Sequence, residues 1–141
     1  MLISTISCDW KCLTEKSLDI SICQNSPINN HPTIDIKDKD IIDRYLQNPI
    51  TSSIVFGGLE PFNQFFELKL FISTFRQFSS DDIVIYTGYY ENELKDKIRV
   101  LSCFDNIIIK FGRYDPSKPP MYDDVLGVNL ASCNQAAKRI S

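Results

Sequence analysis

The chain carries one histidine, one tryptophan, two methionines and five glycines in 141 residues. It also lacks any apolar run near the ~18 residues that span a bilayer, so no membrane helix is expected. Met1 to Trp10 has no basic n-region and holds Asp9 inside its apolar stretch, which argues against a signal peptide. Positive charge is not in excess. The net charge is −3 and the pI about 5.1, so no global basic field draws nucleic acid. No repeat and no low-complexity tract interrupts the chain, which excludes collagen-like, mucin-like and wholly disordered classes. What is present is ordinary for a globular domain: 43% hydrophobic and 23% charged residues. The length fits one domain, 1–141, with a core that needs no disulfide staples.

Cysteine is the exception to this plainness. There are five, Cys8, Cys12, Cys23, Cys103 and Cys133. The number is odd and no export signal accompanies it, so reduced thiols in the cytoplasm are expected rather than a disulfide framework. Three of the five fall in the first 23 residues.

Leu2 to Ser7 alternates apolar and small polar residues and predicts a strand. Residues 8–32 show no period and contain Asn25-Ser26-Pro27 and Asn29-Asn30-His31-Pro32, which is turn chemistry. A loop this long in a small domain points to function. Thr33 to Ile36 reads as a short extended piece. Lys37 to Gln47 places Ile41, Ile42, Tyr45 and Leu46 on one helical face. Ser53 to Phe56 predicts a strand running into Gly57-Gly58. Pro61 suits the first position of a helix. Phe65, Leu68, Phe71, Ile72, Phe75 and Phe78 then follow at helical spacing, a core stripe. Asp82 to Tyr86 and Asn106 to Phe111 predict strands, with a helix over Glu91 to Leu101 between them. Arg113 to Tyr122 reads as a loop, and Val125 to Leu130 as a last strand.

Strands alternating with helices predict an α/β fold with a mostly parallel sheet. In such sheets ligands sit beyond the carboxyl ends of the strands. Those ends are Cys8-Asp9-Trp10-Lys11-Cys12, Gly57-Gly58-Leu59-Glu60-Pro61, Thr87-Gly88-Tyr89 and Gly112-Arg113. The three thiols of the loop are either a soft-metal site, for zinc or an iron–sulfur cluster, or three unconnected thiols. A structural zinc takes four protein ligands; no fourth cysteine is near, and His31 is the only histidine. Three thiolates on a [4Fe-4S] cluster would leave one iron open. Glu60 is either an acceptor for an ammonium group or an acidic residue favoured at a positive helix end. Trp10 either shields a cluster or covers the core. Cys103 and Cys133 read as packing residues, with Cys133 also near enough in sequence to Asn134-Gln135 to approach a site. His31, Asp123, Asp124, Arg113 and Lys118 read as solvated.

Cys8-x3-Cys12, Cys23-Gln24-Asn25, Gly57-Gly58-Leu59-Glu60-Pro61, Tyr86-Thr87-Gly88-Tyr89, Ile109-Lys110-Phe111-Gly112-Arg113-Tyr114 and Ala131-Ser132-Cys133-Asn134-Gln135 occur in one order. That order resembles radical S-adenosylmethionine proteins. It is most similar to the small activating protein of anaerobic ribonucleotide reductase. The resemblance covers nearly the whole chain. It implies a partial (β/α) barrel and a [4Fe-4S] cluster held by Cys8, Cys12 and Cys23. It implies S-adenosylmethionine on the open iron, with Gly57, Gly58 and Glu60 at its methionine end and Thr87 and Asn134 nearby. It further implies a glycyl-radical enzyme, such as anaerobic ribonucleotide reductase, as the protein partner, and flavodoxin or ferredoxin as the one-electron donor. Several features depart from the family pattern, among them the lack of an aromatic neighbour at Ile22 or Gln24 beside Cys23. Ten residues separate the second and third cysteines, where two are usual, and Leu59 stands inside the Gly-Gly-Glu-Pro motif. The alternatives are a radical enzyme acting on another peptide or nucleotide, and a non-catalytic iron–sulfur or electron-transfer module.

Overall fold

The computed structural model describes residues 1–141. Strand β1 is Leu2–Ser4, β2 is Ser53–Gly57, β3 is Asp82–Tyr86 and β4 is Ile107–Phe111. Helix α1 is Lys11–Thr14, α2 is Asp38–Leu46, α3 is Phe65–Phe75 and α4 is Lys95–Leu101. Strands β5 (Met121–Asp123), β6 (Val128–Leu130) and β7 (Ala136–Arg139) complete the chain. One sheet runs β1-β2-β3-β4-β7, and β5-β6 is a separate hairpin. The first four strands are parallel; β7 returns antiparallel to β4. The fold is therefore mixed α/β with a mostly parallel sheet. It is open at β1 and β7, with no closed barrel.

The alternation of side chains along each strand divides the sheet into two unlike faces. Ile54, Phe56, Ile83, Ile85, Ile107, Ile109 and Phe111 face the helices. There they meet Ile42 and Tyr45 of α2, Leu68, Phe71, Ile72 and Phe75 of α3, and Leu101 of α4. Aromatic rings lock this layer edge to face, Tyr45 on Phe75 at 5.1 Å and Phe56 on Phe71 at 5.3 Å. The other face carries Val55, Val84, Tyr86, Ile108 and Ala137, packed with Leu126. No helix belongs to that smaller cluster. It leaves room for a cavity between the sheet, the cysteine loop and the β5-β6 hairpin.

At the opposite end of the sheet, Arg76 ties loops together. Its guanidinium donates to the carbonyls of Ser79, Asp81, Asp105 and Asn106 at 2.8–3.2 Å. The Tyr45 hydroxyl donates to Asp81 at 2.5 Å.

Several expectations need correction. Strand β1 is three residues long and stops at Ser4. The predicted last strand shrinks to Val128–Leu130, because Asp123 and Gly127 (φ 68°) build a turn just before it. β5 lies partly inside the predicted loop. β7 was unforeseen, since Ala-Ala-Lys-Arg has neither alternation nor β-branched residues. Asp123 is buried, not solvated, because its carboxylate accepts the N–H groups of Leu126 and Ala137. Arg113 is buried too, paired to two glutamates. Cys103 and Cys133 are exposed rather than packed. Phe78 is also exposed, since it falls past the end of α3.

Candidate cluster and ligand cavity

Beyond the carboxyl ends of β2, β3 and β4 lies a cavity of about 360 Å³, at the small end of the range for ligand sites. Cys8, Cys12 and Cys23 all line it, as do Gln24 and Asn25. The cysteine loop is less irregular than its sequence suggests. It contains α1 and two 3₁₀ turns, Ile20–Ile22 and Ser26–Asn30. Trp10 starts α1 in a left-handed conformation (φ 58°), and its N–H donates to the Cys8 sulfur at 3.3 Å. Trp10 does not line the cavity; its main-chain role is to turn the loop between the first two cysteines.

The ten-residue stretch between the second and third cysteines is fastened down. Leu13 is buried in it. Glu15 pairs with Arg113, and Lys16 with Asp115 at 2.5 Å. The insertion thus folds against the end of β4 and leaves Cys23 on the cavity wall.

Glu60 sits at the centre of the hydrogen bonding. It is 4% exposed. One carboxylate oxygen accepts from the Phe62 N–H at 3.1 Å and the Thr87 hydroxyl at 2.8 Å; the other accepts from the Gly88 N–H at 2.9 Å. Burial raises its pKa, and these three donors oppose the rise. The Phe62 bond makes Glu60 the N-cap of the 3₁₀ turn Pro61–Gln64. Glu60 therefore caps a turn, as one reading expected, and it also lines the cavity. Leu59 is buried and lines the cavity beside Gly58 and Glu60.

The other expected residues divide. Gly58 and Thr87 line the cavity; Gly57 and Asn134 do not. The Gly57 carbonyl instead accepts the Thr5 N–H at 3.1 Å and continues the sheet. The Asn134 amide donates to the Arg113 carbonyl at 2.8 Å while its oxygen is buried without a partner. Gln135 takes the place on the wall that Asn134 was expected to fill. Gly58 has φ +78°, and a Cβ there would lie 2.3 Å from the Ser4 hydroxyl, so both backbone and space require glycine.

Sequence reasoning gave no role to Gly88, Tyr89 or Lys110. A Cβ on Gly88 would stand 2.7 Å from the Cys12 sulfur. The Tyr89 hydroxyl donates to Asp9, beside Cys8, at 2.6 Å. Lys110 breaks the apolar run Ile-Ile-Ile-Lys-Phe of β4 and is buried on the cavity wall. That break, and its place in the Ile109–Tyr114 stretch, were visible in the sequence; which face of the sheet Lys110 takes was not.

Burial pushes the Cys8 thiol up to about 11 and raises Cys12 as well, where the Tyr114 amide and the charges of Lys110 and Arg113 pull the other way. No three His, Cys, Asp or Glu side chains converge closely enough to hold a single metal ion. A mononuclear site needs its donors on one point. A cluster takes its thiolates one to an iron, around a body. Cys8, Cys12 and Cys23 line one cavity.

The chain is a small mixed α/β domain with a three-cysteine loop at the strand ends. Residues 6–135 match the model of the 4Fe-4S single cluster domain, and the chain belongs to that family. No curated protein and no solved structure matches it. No helix is long and apolar enough to cross a membrane.

Proposed function

We propose that this is a radical S-adenosylmethionine protein in which Cys8, Cys12 and Cys23 hold the [4Fe-4S] cluster. The observation that supports the reading is the meeting of these three thiols with Glu60, Thr87 and Gly88 in one cavity at the strand ends. When bound and reduced, such a cluster supplies the electron that cleaves S-adenosylmethionine to methionine and a 5′-deoxyadenosyl radical. The chain's own groups bind and orient. Gly58 keeps the wall low enough for a ligand to approach the backbone. Glu60 holds a carboxylate where an ammonium group can pair with it. Phe62, Thr87 and Gly88 fix that carboxylate by donating to it.

We place the hydrogen donor on a large partner that brings its own reactive segment. The resemblance points to a glycyl-radical enzyme such as anaerobic ribonucleotide reductase. Flavodoxin or ferredoxin would deliver the electron. One observation favours a second reading, a non-catalytic iron–sulfur module. All three hydrogen bonds to Glu60 are made inside the chain, so the carboxylate is satisfied without a ligand.

The test is low-temperature EPR on anaerobically reconstituted, reduced protein, with and without S-adenosylmethionine. A [4Fe-4S]⁺ signal that changes on adding the cosubstrate is expected, with the change lost in Glu60→Ala. A cluster signal indifferent to it selects the electron-transfer module. Zinc in place of a cluster overturns the assignment of the three cysteines.

A further inference from the structure

Lys110 is 8% exposed, projects from β4 onto the inner face of the sheet and lines the cavity. Its ammonium makes one hydrogen bond, to the Gly112 carbonyl at 3.3 Å, and lies 5.8 Å from the Tyr86 ring. It has no carboxylate within ion-pair distance; the other buried cation of this region, Arg113, has two. A buried, unpaired cation costs several kcal/mol. Burial pulls its pKa down to about 8, and Cys12 and Glu60, which line the same cavity, oppose that fall. Glu60 is already engaged with three donors, which leaves the cysteine side of the cavity as the place for the missing anion.

We propose that Lys110 is the counter-ion of the iron–sulfur cluster and sets its reduction potential. A [4Fe-4S] core on three thiolates is net anionic and gains one more negative charge when it takes up an electron. A fixed ammonium on the same wall favours the reduced state, since net charge is one of the levers on cluster potential. Lys110 is thus a positioning residue for charge, acting through the cluster. The inference rests on Cys12 being a cluster ligand, and it holds whether or not S-adenosylmethionine is cleaved.

The test compares wild type, Lys110→Met and Lys110→Arg, each reconstituted anaerobically and titrated with dithionite against redox mediators while the [4Fe-4S]⁺ signal is followed. Iron and sulfide content should match in all three. Lys110→Met should be at least tenfold harder to reduce, a midpoint about 59 mV more negative for one electron. Lys110→Arg should recover most of that. The cluster-free Lys110→Met protein should melt no lower than wild type, because an unpaired buried charge has been removed. An unchanged midpoint in Lys110→Met overturns the proposal. So does an unchanged midpoint joined to weakened S-adenosylmethionine binding, which would place Lys110 on the cosubstrate carboxylate. A wild type that holds no cluster overturns both this inference and the cysteine assignment, whereas a cluster that ignores S-adenosylmethionine overturns the proposed activity alone.

Discussion

Arg113 reaches Glu15 across 98 positions of sequence, its terminal nitrogen donating to the glutamate at 2.7 Å. The same guanidinium grips Glu93 with two bonds, of 2.6 and 2.8 Å, and stacks over Tyr90 at 4.8 Å. One side chain after β4 therefore joins the cysteine loop to the segment after β3. Desolvating it is offset by the two carboxylates and the ring.

Replacing Arg113 with alanine should free the loop between Cys12 and Cys23. The expected loss is about 2 kcal/mol of stability, since both glutamates are partly exposed and can rehydrate. Iron bound after reconstitution should fall as well. Urea unfolding and iron analysis check the two effects. Full iron content in a destabilised variant would show that the clamp serves the fold alone.

Acid should undo the same clamp. Arg113 holds the Glu93 carboxyl down to about 2. A depressed carboxylate adds stability that is complete above its unfolded value, about 4.3, and is lost as pH falls toward 2. Wild type should therefore exceed Glu93→Gln in melting temperature at pH 6, and the gap should close between about pH 4.5 and 2. A constant gap across that range contradicts the pairing.

Gly88→Ala should strike the site and spare the fold. The added methyl meets the Cys12 sulfur at 2.7 Å, far inside ordinary contact. Circular dichroism should match wild type, while cluster incorporation falls severalfold. Normal incorporation would mean that Cys12 moves freely on the cavity wall.

Arg76→Ala should do the reverse. Four carbonyls lose a charged donor at the far end of the sheet, and a loss of about 3 kcal/mol is expected. Cluster content per folded molecule should not change. Thermal unfolding with iron analysis on the surviving protein separates the two quantities.

Much of this protein was legible in its residues. The parallel core strands announced themselves as short β-branched runs, and α3 as a stripe at helical spacing, because both periods follow from local backbone geometry. The three cysteines and Glu60 were singled out because they follow strand ends, and all four line the cavity. The family membership rests on the match over residues 6–135. Other features belonged to the tertiary structure alone. Strand β7 exists because β4 offers it an edge, not because Ala-Ala-Lys-Arg prefers to be extended. Asp123 and Arg113 are buried because partners 14 and 98 residues away satisfy them. Lys110 became meaningful only when the sheet presented it to a cavity. A charge in a sequence has no environment; burial and the distance to its partner decide what it does, and both are made by contacts between segments that the chain keeps far apart.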